Sequence, residues 1–324
     1  RRRGAGGPRL PGLAALRPRA HHLLPDGSAQ AGAVDRLARR VTSHAIGVVL
    51  SGGGARGLAH IGVLQALDDQ GVPVDRIGGC SAGGLVAALY ACGRSPAEIV
   101  DLVREELVER RPFADVTVPR ESLIKGRRAL AMLARLFDDH RLEELAIPLF
   151  TVSADLTSGR LVVHRRGLVR DAVAASMAIP GFAPAFRLGQ VLHVDGGILN
   201  NFPVDVMVDD EEGPVVGVDV MRDFASTARP DGDTPGIVTT IARAMVLGGW
   251  QRSERNRRLA DLTVSPAVES IGLFDFERLD DAVTAGRTAG NEALESWPPA
   301  LGSAAGDRSD DDGADDDESG DDGS

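Results

Sequence analysis

The chain has 324 residues, 43% hydrophobic and 4% aromatic, enough apolar material for one large or two modest packed domains. Its net charge is -11 and its only lysine is Lys125; the arginine-rich skew of the other basic residues reads as coding bias, so no nucleic-acid partner is expected. No apolar run reaches the ~18 to 20 residues of a membrane span, and two cysteines, Cys80 and Cys92, supply no disulfide framework, which points to a reducing, cytoplasmic setting.

The charge is unevenly spread. Residues 1–45 hold nine arginines and two aspartates, a balance of +7, and read as an Arg-rich linker or extension without the continuous apolar segment of a signal peptide. Residues 301–324 hold ten acidic residues and one arginine, a balance of -9, with almost nothing apolar. This acidic tail is expected to be disordered and solubilising.

Between them, residues 46–300 alternate strand and helix. "AIGVVL" is a short apolar run ending in glycines and predicts a buried parallel strand. A helix is expected over Leu58 to Gln70, a second strand over Val74 to Gly78, and a helix of small residues over Ser81 to Cys92. Ser95 followed by Pro96 marks the start of another helix, with serine as N-cap. Arg127 to Phe137 reads as a helix, "IPLFTVSADL" and "GRLVVHR" as strands of a hairpin around Thr157 to Gly159, and Leu168 to Met177 as a helix. "VLHVDGG" is a strand entering a turn and "PVVGVDV" a strand. A long helix over Ile237 to Arg258, a short strand in "ADLTVSP" and a helix over Phe276 to Ala293 close the chain. Repeated units of this kind predict an α/β fold, a mainly parallel sheet covered by helices on both sides.

Three stretches carry chemistry. Gly52-Gly53-Gly54-Ala55-Arg56-Gly57 fits the dinucleotide pattern G-x-G-x-x-G between a strand and a helix. A ribose-binding acid belongs at the far end of the second strand, however, and Asp75 stands at the near end. A phosphate-binding P-loop closes with G-K-[ST], and this loop closes with Arg56-Gly57-Leu58.

Gly79-Cys80-Ser81-Ala82-Gly83 is G-x-S-x-G between a strand and a helix, the setting of a nucleophile elbow. The flanking positions of such a turn must be small, and the serine hydroxyl then stands at a helix N-terminus. Cys80 is the rival nucleophile, but the pattern centred on it lacks the second glycine. None of the seven histidines lies beyond position 193, and the three downstream of Ser81, His140, His164 and His193, have no convincing loop context, so a triad is open but unsupported. Asp195-Gly196-Gly197 offers another base: an apolar strand delivers the carboxylate to a turn of two glycines, and a carboxylate within reach of a serine can accept its proton.

In this order the three motifs resemble the patatin-like phospholipase family. "RLARRVTSHAIGVVLSGGGARGLAHIGVL", "GRLVVHRRG", "ASMAIPGFAP", "VDGGILNNFPVD" and "DFERLDDAVTAGRTAG" are similar to its bacterial branch related to neuropathy target esterase, from about Leu37 to Ala293. The resemblance implies a three-layer patatin-like fold and a serine esterase that hydrolyses lipid acyl esters, of phospholipase or lysophospholipase type. It makes Ser81 the nucleophile and Asp195 the base of a dyad, with Gly52, Gly53, Gly54 and Ala82 as oxyanion donors. Arg56, Gly57, Gly79, Gly83, Gly196 and Gly197 support them. It implies a lipid ester as substrate and neither metal nor organic cofactor. Side chains in the glycine loop would block the approach of the reacting group. Arg56 either holds the loop or meets a phosphate head group.

His193, two residues before Asp195 and on the same strand face, is expected to line or brace the site. The basic amphipathic stretch "ESLIKGRRALAMLARLF" reads as a packed cap helix, with peripheral contact to an anionic bilayer as its other use. A lipid- or partner-binding module of weak catalytic power, serving a regulatory region upstream, is the competing reading of the whole chain.

Overall fold

The computed structural model describes residues 28–222 and 236–297. The acidic tail lies outside the described residues, as do the first 27. Within the expected N-terminal extension, Ser28–Val41 forms helix α1. Arg39 of α1 grips Asp75 with two hydrogen bonds of 2.9 and 2.7 Å, and Arg40 does the same to Glu212.

Strand β1 (Gly47–Leu50) is buried at all four positions and lies between two parallel neighbours, β2 (Arg76–Cys80) on one side and β7 (Val215–Val218) on the other. The parallel run extends to β3 (Leu149–Asp155) beyond β2 and to β8 (Leu262–Val264) beyond β7. β4 (Leu161–His164) folds back on β3 as the expected hairpin. β5 (Phe186–Leu188) pairs antiparallel with β6 (Val191–Asp195), which itself runs antiparallel to β3. The order is β5-β6-β3-β2-β1-β7-β8, with β4 against β3. The sheet is therefore mainly parallel, as expected, with an antiparallel flank.

Val48 and Leu50 enter one apolar core and Val49 the other, the period-two pattern of a strand buried on both faces. The larger core is shared with α2 (Ala59–Asp69), α3 (Ser81–Ala91), α4 (Pro96–Val103), α5 (Arg127–Phe137), α6 (Val169–Ser176) and α10 (Leu279–Glu295). The smaller core gathers Phe150, Phe202 and Met207 beneath the short helix α8 (Val204–Val208), which follows the single turn α7 (Gly197–Asn200). The long helix α9 (Ile237–Arg257) packs on α7. Ser95 caps α4 as expected, and the cap is a reciprocal capping box with Glu98.

The second strand differs from expectation by two residues, running Arg76–Cys80 in place of Val74 to Gly78. Asp75 accounts for the shift. Its buried carboxylate accepts the Ile46 N–H at 3.0 Å besides the Arg39 fork, so it acts as a cross-brace ahead of the strand. The strand then runs to the residue before Ser81, with no loop between β2 and α3.

α10 crosses α2 with backbone against backbone. A Cβ on Gly286 would fall on the Ala59 carbonyl oxygen, and one on Gly290 would lie 2.7 Å from the Ala66 Cβ. Gly286→Leu is expected to cost roughly 3 kcal/mol, about 6 to 12 °C in melting temperature, because rigid backbone cannot yield to the added side chain. A thermal melt checks this; an unchanged melting temperature would mean that the two helices separate without penalty.

Candidate active site

Strand β2 feeds α3 through a single strained residue. Cys80 is extended, and Ser81 takes a φ of 52°, a left-handed conformation that costs a non-glycine residue about 1 to 3 kcal/mol. Such a turn lifts the side chain out of the sheet at a helix N-terminus. The Ser81 N–H is tied to Ser176 Oγ at 2.9 Å. A Cβ on Gly79 would lie 2.6 Å from the Leu50 carbonyl oxygen and 2.8 Å from the Gly83 backbone, so both flanking glycines are imposed by backbone contact.

Asp195 reaches Ser81 because of how strands share an edge of β3. β4 occupies one edge of β3 from Thr151 to Ala154. The opposite edge is divided: β2 pairs there up to Cys80↔Val152, and β6 arrives from the other direction and ends at Asp195↔Ser153. The two strands meet head to head, which sets the Asp195 carboxylate beside the Ser81 side chain. Its Oδ1 also accepts the Gly197 N–H at 2.8 Å and lies 3.6 Å from Cys80 Sγ. Gly196 allows the junction, since a Cβ there would sit 2.5 Å from the Val152 carbonyl oxygen.

Asp195 is 2% exposed, and burial pushes its carboxyl up to about 6, against hydrogen bonds from Ser81, Gly197 and Cys80 that favour the ionised form. The fully buried Cys80 thiol is pushed well above its ordinary range, first by burial and then by the neighbouring Asp195. It is held protonated at neutral pH and is a poor nucleophile.

The glycine loop departs from expectation in one donor. Gly52 gives its N–H to the Asn201 carbonyl oxygen at 2.9 Å, and the Asn201 amide donates back to the Gly52 carbonyl at 3.0 Å. That N–H is spent inside the protein, which removes Gly52 from the oxyanion donors. The N–H groups of Gly53 and Gly54 find no acceptor among the described residues, and Ala82, in the first turn of α3, keeps its N–H outside the helical ladder. The loop's need for glycine is also largely internal. Gly54 has a φ of 57° and packs against the Leu273 carbonyl, a Cβ on Gly53 would lie 2.5 Å from Val220, and one on Gly57 would lie 2.7 Å from the Ala82 Cβ. Arg56 holds the loop: its buried guanidinium donates to the carbonyls of Ile271 at 2.8 Å and Glu269 at 3.0 Å, and it does not line the cavity.

Ser81, Asp195, Ala82, Gly52, Gly53 and Gly54 share one cavity of about 360 Å³, within the size range of ligand pockets. Its walls are otherwise mostly apolar, with Leu58, Leu85, Phe113, Met132, Phe182 and Met245 among them. The amphipathic α5 closes one side with Leu130 and Leu133, which makes it the packed cap helix expected.

No histidine lines the cavity among the described residues. His193 and His164 instead flank Ser153, whose Oγ lies 2.8 Å from His193 Nδ1 and 2.7 Å from His164 Nε2. Burial lowers both rings, His164 to about 4. His60, also pushed down by burial to about 4, lies with Nε2 2.8 Å from the Ser51 carbonyl oxygen.

The sequence profile described as patatin-like phospholipase matches residues 48–208, a span that holds the glycine loop, the Ser81 turn and Asp195. The chain belongs to the patatin-like phospholipase family. This patatin-like chain is 36% identical over 303 residues to an NTE family protein of Mycobacterium tuberculosis, a match covering 87% of this chain and 51% of that protein. It is 31% identical over 287 residues to lysophospholipase NTE1 of Cryptococcus neoformans, covering 81% of this chain and 18% of that protein. Among solved structures, VipD from Legionella pneumophila is similar with a TM-score of 0.45 and 16% identity, covering 78% of this chain and 67% of the other. The patatin-like chain spans about half the length of its mycobacterial relative. The branch expected from its motifs agrees with the NTE naming of these relatives. No helix among its described residues is long and apolar enough to cross a membrane.

Two supporting residues escaped the sequence reading, Ser176 and Asn201. Both fall inside stretches that resemble the family, "ASMAIPGFAP" and "VDGGILNNFPVD", but nothing local marks either as tied to Ser81 or Gly52.

Proposed function

We propose that this domain is a serine esterase acting on a carboxylic ester of a lipid, of phospholipase or lysophospholipase type. The observation that carries the reading is the Ser81 side chain on a strained turn, beside the buried Asp195 carboxylate at the wall of an apolar cavity. In the first step Asp195 takes the Ser81 proton while Oγ bonds to the ester carbonyl carbon. The negative charge moves to the carbonyl oxygen, where the Gly53, Gly54 and Ala82 N–H groups receive it. One such donor is typically worth ~10² to 10³ in rate. The carbon–oxygen bond to the alcohol then breaks, and Asp195 returns its proton to the leaving oxygen. In the second step Asp195 deprotonates a water that attacks the acyl-enzyme, and the fatty acid leaves as Ser81 regains its proton. A carboxyl near 6 is better matched to this task at neutral pH than an ordinary aspartate near ~3.9.

Fluorophosphonate labelling of the purified chain tests the nucleophile. Ser81→Ala should lose both the label and ester hydrolysis while its thermal melt stays cooperative. Label that persists in Ser81→Ala and disappears in Cys80→Ala would overturn the assignment.

A further inference from the structure

Three side chains that line the cavity are both polar and buried: Ser81, Asp195 and Asn201. The reaction above uses the first two. Asn201 is only half spent, its amide nitrogen donating to the Gly52 carbonyl at 3.0 Å. A carbonyl only accepts, so this contact fixes which end of the amide is nitrogen and turns Oδ1 the other way. Oδ1 finds no donor among the described residues and is not sealed from the cavity that Asn201 lines, although a buried polar atom is ordinarily paired.

Two glycines locate that oxygen. A Cβ on Gly52 would lie 2.4 Å from it and 3.4 Å from the Ser81 Cβ. A Cβ on Gly197 would lie 2.9 Å from it and 3.1 Å from Asp195 Oδ1. Asn201 Oδ1 therefore stands beside the nucleophile. The two side-chain oxygens are no more than about 6 Å apart, a gap that one water spans with two hydrogen bonds of ~2.8 Å. Gly197 keeps the space between them open because it carries no Cβ.

We propose that Asn201 Oδ1 is the second acceptor for the water that cleaves the acyl-enzyme. Water brings two hydrogens. One passes to Asp195 as the water oxygen bonds to the acyl carbon; the other stays on that oxygen and is held by Asn201 Oδ1. The retained O–H grows more acidic as its oxygen gives electron density to the carbon, so this hydrogen bond is strongest in the transition state. Two bonds aim the water's lone pair at the acyl carbon, whereas one alone lets it pivot. The tetrahedral adduct then collapses. The bond from carbon to Ser81 Oγ breaks, Oγ takes the proton back from Asp195, and the fatty acid leaves with the other hydrogen. Acylation of Ser81 consumes no water, so the role belongs to the second step alone. The proposal rests on the esterase reading above and adds to it the group that directs the water.

The test divides one acyl-enzyme between two nucleophiles. p-Nitrophenyl butyrate is turned over in water containing a fixed fraction of methanol, and the butyrate and methyl butyrate formed are measured. Methanol has a single hydroxyl hydrogen, which Asp195 takes, and offers nothing to Asn201. Asn201→Leu keeps the branched outline and removes both polar atoms. Its ratio of methyl ester to acid should rise about 3- to 10-fold over wild type, the worth of one hydrogen bond. Loosening of the Gly52 loop slows both products alike and leaves the ratio where it was. Asn201→Asp returns an acceptor oxygen in the same outline and should hold the wild-type ratio whatever its overall rate. Asn201→Ala takes the place of the leucine variant should that chain fail to fold. An unchanged ratio in Asn201→Leu overturns the proposal, and so does an equal rise in Asn201→Asp. A wild type that releases no p-nitrophenol would refute the esterase reading itself and this role with it, a result distinct from turnover with an unaltered ratio.

Discussion

Asp195→Asn should bring ester hydrolysis close to background, a loss on the order of 10⁴-fold, the upper end of what a positioned general base contributes. His164→Ala and His193→Ala should each keep a substantial part of kcat, since neither ring reaches the cavity. The pH profile of kcat/KM should rise through an apparent pKa of about 6 as Asp195 ionises. A histidine base titrates near ~6.5, so the profile alone does not separate dyad from triad; the substitutions do. An active Asp195→Asn beside one dead histidine variant would overturn the dyad.

The same substitution carries a stability signature of definite sign. The carboxyl titrates near ~3.9 in an unfolded chain and at about 6 in the folded one. Its neutral form favours folding below the lower value, and that contribution is lost as pH rises through the higher one. About two pKa units at 1.36 kcal/mol each make the buried charge cost on the order of 3 kcal/mol above pH 6. Asparagine never ionises. The melting temperature of Asp195→Asn relative to wild type should therefore increase between pH 4 and pH 8. A difference independent of pH would mean that the carboxyl titrates normally.

Gly83→Ala should damage both fold and activity, whereas Gly84→Ala, its neighbour on the same helix, should be tolerated. A Cβ on Gly83 would lie 2.5 Å from the Ser51 carbonyl oxygen and still nearer that of Leu50. Those carbonyls end β1 and begin the glycine loop, so the first turn of α3 must back away from the Gly53 and Gly54 N–H groups. We expect a loss of about 3 kcal/mol, roughly 6 to 12 °C, and at least ~10²-fold in kcat, comparable to losing one oxyanion donor. A Cβ on Gly84 meets only ordinary contacts, 3.4 Å from Thr151 Cγ2 and 3.5 Å from Ser176 Oγ. Alanine in a helix interior is worth up to about 1 kcal/mol over glycine, so that variant should melt no lower than wild type. Parallel melts and initial rates of the two variants check the pair; equal damage from both would refute the contact argument.

G-x-S-x-G distinguishes these two glycines without a structure, because the motif states a local steric demand. Much else was legible for the same reason. The buried run of β1, the Ser95 cap, the β3–β4 hairpin and the strand that presents Asp195 to two glycines are all encoded within a few residues of themselves. Tertiary structure decided whatever depends on register between distant strands. No local pattern says that β2 and β6 divide one edge of β3, yet that division is what joins Ser81 to Asp195 across 114 positions of sequence. Nor does any local pattern say that Asn201 consumes the Gly52 N–H, or that Ser176 ties down the Ser81 amide. The proton affinity of Asp195 belongs with these. It is set mainly by how completely the folded chain removes water from the carboxylate, and burial is a property of the whole packing rather than of the Asp-Gly-Gly that carries it.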